Sequence, residues 1–223
     1  MIPLFLGYDK REAIGFHVCV SSVLRHASSP VAVTPVFGKR RDGTNDFIYA
    51  RFLIPHLMGY QGWAIFADGS DMLFRDDIAK LWALRSARNK AAVLAVQRQY
   101  KTRNHRKYIG TAMESANRDY RCKNWSSLIL FNCAHPLNRV LTPDYVEAHD
   151  GQHLHTFGWL PSGAVGALPS RWNVLIGEDG ETEECAVAHF TLGVPLIEHY
   201  RDSLYADEWL AESKIVSRGT FSG

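Results

Sequence analysis

An apolar run, Trp63-Ala64-Ile65-Phe66-Ala67, stops abruptly at Asp68-Gly69-Ser70-Asp71. Two carboxylates this close around a glycine can converge on one hard cation, because Gly69 lets the backbone fold sharply. Mg2+ or Mn2+ held there would neutralise a diphosphate and stabilise it as a leaving group. The same residues also make an ordinary Asp-Gly turn, in which Asp68 only caps the chain before Met72-Leu73-Phe74. Arg51 stands among Phe47, Ile48, Phe52 and Leu53, where a guanidinium needs an anionic partner: an internal carboxylate or a ligand phosphate. Its bidentate fork favours the phosphate. His189 follows Ala186-Val187-Ala188 and alone reads as a satisfied core histidine sooner than as a ligand. Asp9, after the run Ile2 to Gly7, suits a helix cap. His153 and His155 flank Leu154 as on a strand with one polar face, a face open to an acceptor. Trp125, Trp159 and Trp172 offer faces to sugar rings or simply fill the core.

Strands are expected at 2–7, 31–36, 63–67, 91–96 and 128–131, each apolar on both faces. A helix capped by Asp9 carries a mixed stripe of Ile14, Val18, Ser21, Ser22, Leu24 and Arg25. A polar loop, Gly38 to Asn45, leads to a helical stretch over Phe47–Met58, kinked or ended near Pro55. Ile78, Leu81, Trp82 and Leu84 recur at helical spacing. A closing helix over Tyr200–Ile215 turns Leu204, Trp209 and Leu210 inward. Strands alternating with helices imply an α/β fold with a mainly parallel sheet covered on both sides. Ligands in such sheets bind beyond the carboxyl ends of the strands, where Asp68 and Asp71 fall. Residues 98–123 form one long polar stretch with eight Lys or Arg against Glu114 and Asp119. Such loops are usually functional or mobile; this one could clamp phosphates or an acidic acceptor, nucleic acid included, though a solvated flexible loop fits it better than a nucleic-acid surface.

Taken in order, these pieces resemble the GT-A glycosyltransferases of the family 8 type and their small bacterial and phage relatives. Phe5-Leu6-Gly7-Tyr8-Asp9, with the helix ending Ser21-Ser22-Val23-Leu24-Arg25-His26, resembles that family's first nucleotide-binding strand and helix. Tyr49-Ala50-Arg51-Phe52-Leu53-Ile54-Pro55 resembles the helix whose arginine reaches the donor. Phe66 to Leu73 resembles the metal-binding Asp-X-Asp strand end, and His189-Phe190-Thr191-Leu192-Gly193 the C-terminal motif that adds a histidine ligand. Asn124 to Asn132 and Leu168 to Asn173 resemble segments of the smaller relatives. The likeness covers nearly the whole chain.

It implies a GT-A type, Rossmann-like sheet flanked by helices in a single domain, 1–223. It also implies transfer of a hexose from a nucleotide diphosphate sugar, taken as a UDP-sugar, to an acceptor hydroxyl with retention of configuration. Asp68, Asp71 and His189 would then hold Mn2+ or Mg2+. Gly7, Tyr8, Asp9, Arg51, Asp68 and Ser70 would form the donor site, and Asp71, Asn132 and Asn173 would lie beside the reacting sugar. Two departures stand out. Asp68 and Asp71 are separated by two residues rather than one, so either Asp68 or Ser70 accompanies Asp71. The lysine expected after the histidine motif is missing from Val194-Pro195-Leu196, leaving Lys107, Arg103 or Arg106 to replace it.

The bulk properties fit this reading. The formal charge of +2 gives no strong nucleic-acid or membrane signal, so a nucleic-acid acceptor is disfavoured against a glycan, a lipid-linked sugar or another hydroxyl compound. No run approaches the roughly 20 apolar residues of a transmembrane segment. Cys19, Cys122, Cys133 and Cys185 form no Cys-X-X-Cys pair and read as reduced thiols of a cytoplasmic protein. Two other classes stay open. A metal-dependent nucleotidyltransferase would use the same aspartates on an NTP, though no Gly-rich phosphate loop is visible. A non-catalytic nucleotide-sugar-binding module would suit the altered spacing and the missing lysine.

Overall fold

The computed structural model describes residues 1–38, 45–87, 90–179 and 184–217. Most of the polar loop expected between Gly38 and Asn45 lies outside them. The chain runs β1 (Ile2–Gly7), α1 (Ala13–His26), β2 (Val31–Val36), α2 (Ile54–Leu57), β3 (Trp63–Ala67), β4 (Met72–Phe74) and α3 (Ile78–Ala87). It continues with β5 (Val93–Ala95), β6 (Arg106–Lys107), β7 (Ser115–Ala116), β8 (Leu128–Asn132), α4 (Pro143–Ala148) and α5 (Gly151–His155). Last come β9 (Val165–Ala167), β10 (Val174–Leu175), β11 (Val187–His189) and α6 (Ala206–Ser217). The main sheet is ordered β2-β1-β3-β8-β5-β9. Its strands are mainly parallel, but β8 runs antiparallel to both β3 and β5. β2, which carries Pro35, forms an edge, where a missing N–H donor does least harm.

The central strands are buried on both faces because a hydrophobic layer covers each. Leu4, Leu6, Ile65, Leu94 and Leu130 pack on one side with Phe16, Val23, Ile78 and Leu81. Phe5, Phe66, Val93, Ile129 and Phe131 pack on the other with Phe47, Phe52 and Leu154. A three-stranded sheet, β10-β11-β4, stands beside the main one. Its antiparallel β11–β4 pairing sets His189 opposite Met72, and Phe190 N donates to Asp71 O at 2.8 Å. The aspartate turn is clamped from below by α1. A methyl group added at Gly15 would sit 1.9 Å from Ser70 O, and one added at Gly69 would sit 2.6 Å from Gly7 O. Only glycine permits these approaches.

Several elements differ from the sequence expectation. α1 buries Gly15, Phe16, Val18, Cys19, Ser22 and Val23, while Ile14 and Leu24 face outward. The close approach at Gly15 sets this phase. The stretch before Pro55 is a 3-10 turn, Ala50–Leu53, that passes directly into α2. α6 starts later than expected and buries Trp209, but Leu204 precedes it and is exposed. His153 and His155 sit on the short helix α5, not on a strand; Asp150 caps it by accepting from His153 N at 2.7 Å. The long polar stretch contains the β6–β7 hairpin. Buried Glu178 anchors that stretch, accepting hydrogen bonds from Thr102 Oγ1 at 2.8 Å and Arg103 N at 2.7 Å. All four cysteines are free. Among the described residues no helix is long and apolar enough to cross a membrane.

Candidate metal centre

β3 ends at Ala67 and β11 ends at His189, and their carboxyl ends open into a cavity of about 730 Å3. Asp68, Asp71 and His189 meet there, offering ligand atoms that all lie within 4.8 Å of one another. The hydrogen bonding fixes what each atom presents. Asn173 is fully buried, and its Nδ2 donates to the carbonyl of Asn124 at 3.0 Å and to Ser127 Oγ at 2.9 Å. A carbonyl only accepts, so the amide orientation follows, and Asn173 Oδ1 faces His189 Nδ1 at 2.9 Å. His189 Nδ1 therefore carries a proton, and the neutral ring leaves a bare lone pair on Nε2. That lone pair looks at Asp71 Oδ2, 3.3 Å away. Asp71 Oδ1 and Asp68 Oδ1 are also buried without a hydrogen-bond partner. Three groups that present lone pairs to one another could hold a cation.

Arg51 is buried between Phe47 and Phe66, its guanidinium carbon 5.2 and 4.8 Å from their ring centres. Its Nη1 donates to Ser126 O at 2.8 Å. The same nitrogen lies 2.7 Å from Asp68 Oδ1, close enough for an ion pair but not aligned as a hydrogen bond. Sequence reasoning favoured a ligand phosphate as Arg51's partner. The partner found is the internal carboxylate, although Arg51 also lines the cavity. Burial pushes the Asp68 carboxyl up to about 6 against the pull of Arg51, with Asp71 adding repulsion. Lys107 lines the same cavity, and burial pulls its ammonium down against the attraction of Asp71, Asp68 and Glu12. Of the three bases considered as a substitute for the missing lysine, Lys107 alone is at the cavity; Arg106 pairs with Glu114 at 2.6 Å outside it.

The other expected site residues divide. Gly7 lies against the Phe47 ring, where a methyl group would be 2.3 Å from the nearest carbon. Tyr8 is half-buried, edge-on to Phe16 at 5.2 Å. Asp9 is fully buried and spent on structure: Oδ1 accepts from Arg11 N and Nε at 2.9 Å, and Oδ2 from Asp46 N at 3.1 Å. Ser70 does not join the metal group. Its Oγ donates to Glu12 Oε2 at 3.1 Å, and the group that could hold an ion is Asp68, Asp71 and His189. Asn173 does not reach the cavity wall but holds His189 from behind. Asn132 is a misplacement: β8 runs antiparallel, so its last residue pairs with Trp63 at the start of β3, at the opposite end of the strands.

Sequence reasoning missed Tyr108 and Glu12. Tyr108 is buried beside the centre, and burial with the Asp71 charge raises the Glu12 carboxyl to about 7. His155 lines the cavity with Nδ1 2.6 Å from Ser126 Oγ, and burial beside Arg51 lowers it to about 3. The length and polarity of residues 98–123 were the one visible signal for Tyr108.

The fold is that of the GT-A glycosyltransferases. The galactosyltransferase LgtC, solved with donor and acceptor sugar analogues, superposes with a TM-score of 0.59 over 95% of each chain, at 15% identity. Mouse xyloside xylosyltransferase 1, in its apo form, gives 0.56 over 87% of this chain and 99% of that one, at 13% identity. The bifunctional glycosyltransferase WbbM gives 0.60 at 16% identity over 95% of this chain, which spans 49% of that protein. No family model matches the chain. Protein CDI of Arabidopsis thaliana is 37% identical over 226 residues, 94% of this chain and 85% of that protein, and the chain belongs to its family.

Proposed function

We propose that the protein is a metal-dependent glycosyltransferase that moves a hexose from a UDP-sugar to an acceptor hydroxyl, with retention of configuration, in the cytoplasm. The observation that carries this reading is the convergence of Asp68, Asp71 and the bare Nε2 of His189 at the carboxyl end of β3. Bound Mn2+ or Mg2+ would supply charge neutralisation on the diphosphate. Asp68, Asp71 and His189 would hold that ion, Asn173 fixes the imidazole, and Arg51 pairs with Asp68. Lys107 reaches the diphosphate from the polar stretch, replacing the lysine absent after the histidine motif. In the transfer, the acceptor oxygen bonds to the anomeric carbon while the bond from that carbon to the diphosphate breaks. The electron pair leaves with UDP, and the hydroxyl proton passes to the released phosphate or to solvent. The four free cysteines suit a reducing compartment.

The test is release of UDP from UDP-glucose and UDP-galactose with Mn2+, with guanosine and cytidine sugars in parallel and proton NMR of any product for its anomeric configuration. Metal-dependent release from a uridine sugar is expected. Turnover of an NTP instead would move the protein to the nucleotidyltransferases, and binding without turnover would make it a binding module.

A further inference from the structure

The long polar stretch has a second use that the metal centre does not absorb. Beside the first cavity lies another of about 720 Å3, and the two share Tyr120, Arg121 and Thr156 as a common wall. Their linings differ in carboxylates. The first carries Asp68, Asp71 and Asp119 alongside Arg51 and Lys107. The second is lined by Arg98, Arg121 and Lys123, and no carboxylate is among its lining residues. Arg98 is tied to Asp179 and to the carbonyl of Asn173. Lys123 donates to Asn117 Oδ1 at 2.7 Å and lies 3.9 Å from Asp119. Among the described residues no ion pair engages Arg121, which is exposed and lines both cavities. Flat rings complete the second cavity: Tyr100, Trp125 and Phe157, with Tyr120 at the shared wall. Trp125 is held in orientation by Nε1 donating to Arg98 O at 2.8 Å.

Resting on the glycosyltransferase reading above, we propose that this second cavity is the acceptor site and that the acceptor is an anionic glycoside, bearing a carboxylate or a phosphate read by Arg121. Aromatic faces stack on the C–H faces of a sugar ring. A guanidinium without an internal partner is suited to a carboxylate or phosphate fork. An anion that needs no metal belongs in the basic cavity, while the diphosphate with its metal belongs beside the aspartates. The common wall at Tyr120, Arg121 and Thr156 is where the acceptor hydroxyl meets the donor sugar.

The experiment is saturation-transfer NMR titration of the full chain with p-nitrophenyl β-glucuronide against p-nitrophenyl β-glucoside, and with glucose 6-phosphate against glucose, in the presence of UDP and Mn2+. At least one anionic probe is expected to bind about tenfold more tightly than its neutral partner, the size of one charge-assisted hydrogen bond. The two pairs tell carboxylate from phosphate. Arg121→Gln should abolish the preference. Gln99→Glu, an exposed position that lines only the second cavity, should cut it by about threefold while UDP affinity stays unchanged. Equal affinity within both pairs, or a preference that neither variant alters, overturns the proposal. A preference that persists and depends on Arg121 when UDP itself does not bind would sink the donor reading while supporting an anion site here.

Discussion

Asn173→Ala attacks the metal centre without touching a ligand. The side chain makes three hydrogen bonds, one accepted from His189 Nδ1 and two donated, to Asn124 O and Ser127 Oγ. Each is worth about 1 kcal/mol net, and a buried N–H left without an acceptor costs about 1–3 kcal/mol more. Partial relaxation offsets some of this, so the stability loss is expected at about 2–4 kcal/mol. The larger signature is on the metal. With Nδ1 released, the ring can rotate or change tautomer, and Nε2 is no longer held with its lone pair toward Asp71. Groups that orient a ligating histidine typically matter by about 10–100-fold in metal affinity. The assay is calorimetric titration of Mn2+ in the presence of UDP, with circular dichroism as the control for folding. Asn173→Asp supplies the contrast: it keeps an acceptor for Nδ1–H but sets an oxygen against the Asn124 carbonyl, so it should lose stability while retaining most of the metal affinity. An Asn173→Ala protein that binds Mn2+ with UDP as tightly as the parent would refute the reasoning about the tautomer.

Arg51→Lys should weaken UDP and Mn2+ binding and lower the melting temperature, because a point ammonium cannot hold Ser126 O and Asp68 together between two rings; unchanged calorimetry would assign Arg51 to packing alone. Gly15→Ala should cost upwards of about 3 kcal/mol by driving a methyl group into Ser70 O, as measured by urea unfolding. Asn132→Ala should leave UDP and Mn2+ affinity untouched, since Asn132 lies at the end of the strands away from the aspartates, and an affinity change would contradict that placement. For pH, the Asp68 carboxyl is raised to about 6. In the metal-free protein its contribution to stability is therefore greatest at low pH and declines as pH rises toward about 6. Mn2+ must displace that proton, so the melting-temperature gain from Mn2+ should be small near pH 5 and full above about pH 7; a constant gain would count against Asp68 as a ligand.

What the sequence made legible is what strand polarity makes legible. An apolar run ending in carboxylates, and a histidine after another apolar run, both fall at carboxyl ends of strands, and the structure brings those ends together. Asn132 was misread for the complementary reason: Leu128 to Phe131 is equally apolar in either direction, so nothing local reveals that β8 runs antiparallel. That Ser70 turns to Glu12 was hidden because the hydrogen bond joins residues far apart in the chain. Arg51's partner was hidden likewise, since pairing with Asp68 arises only when the 3-10 turn lies across β3. His153 and His155 occupy a helix too short for its period to show. Lys107 and Tyr108 sit in a stretch whose polarity looks like that of any solvated loop, and Glu178, which anchors the stretch, lies far along the chain.

The central claim is that Asp71 and His189 act together on one cation that carries the donor's diphosphate. Its most direct test is UDP affinity, measured by calorimetry with Mn2+ and again with EDTA, for the parent, Asp71→Asn, His189→Ala and the double variant. The account predicts tight binding only with Mn2+, a large loss in each single variant, and a double variant that loses far less than the sum because the pair forms one site. Equal UDP affinity with and without metal, or strictly additive losses, would contradict it.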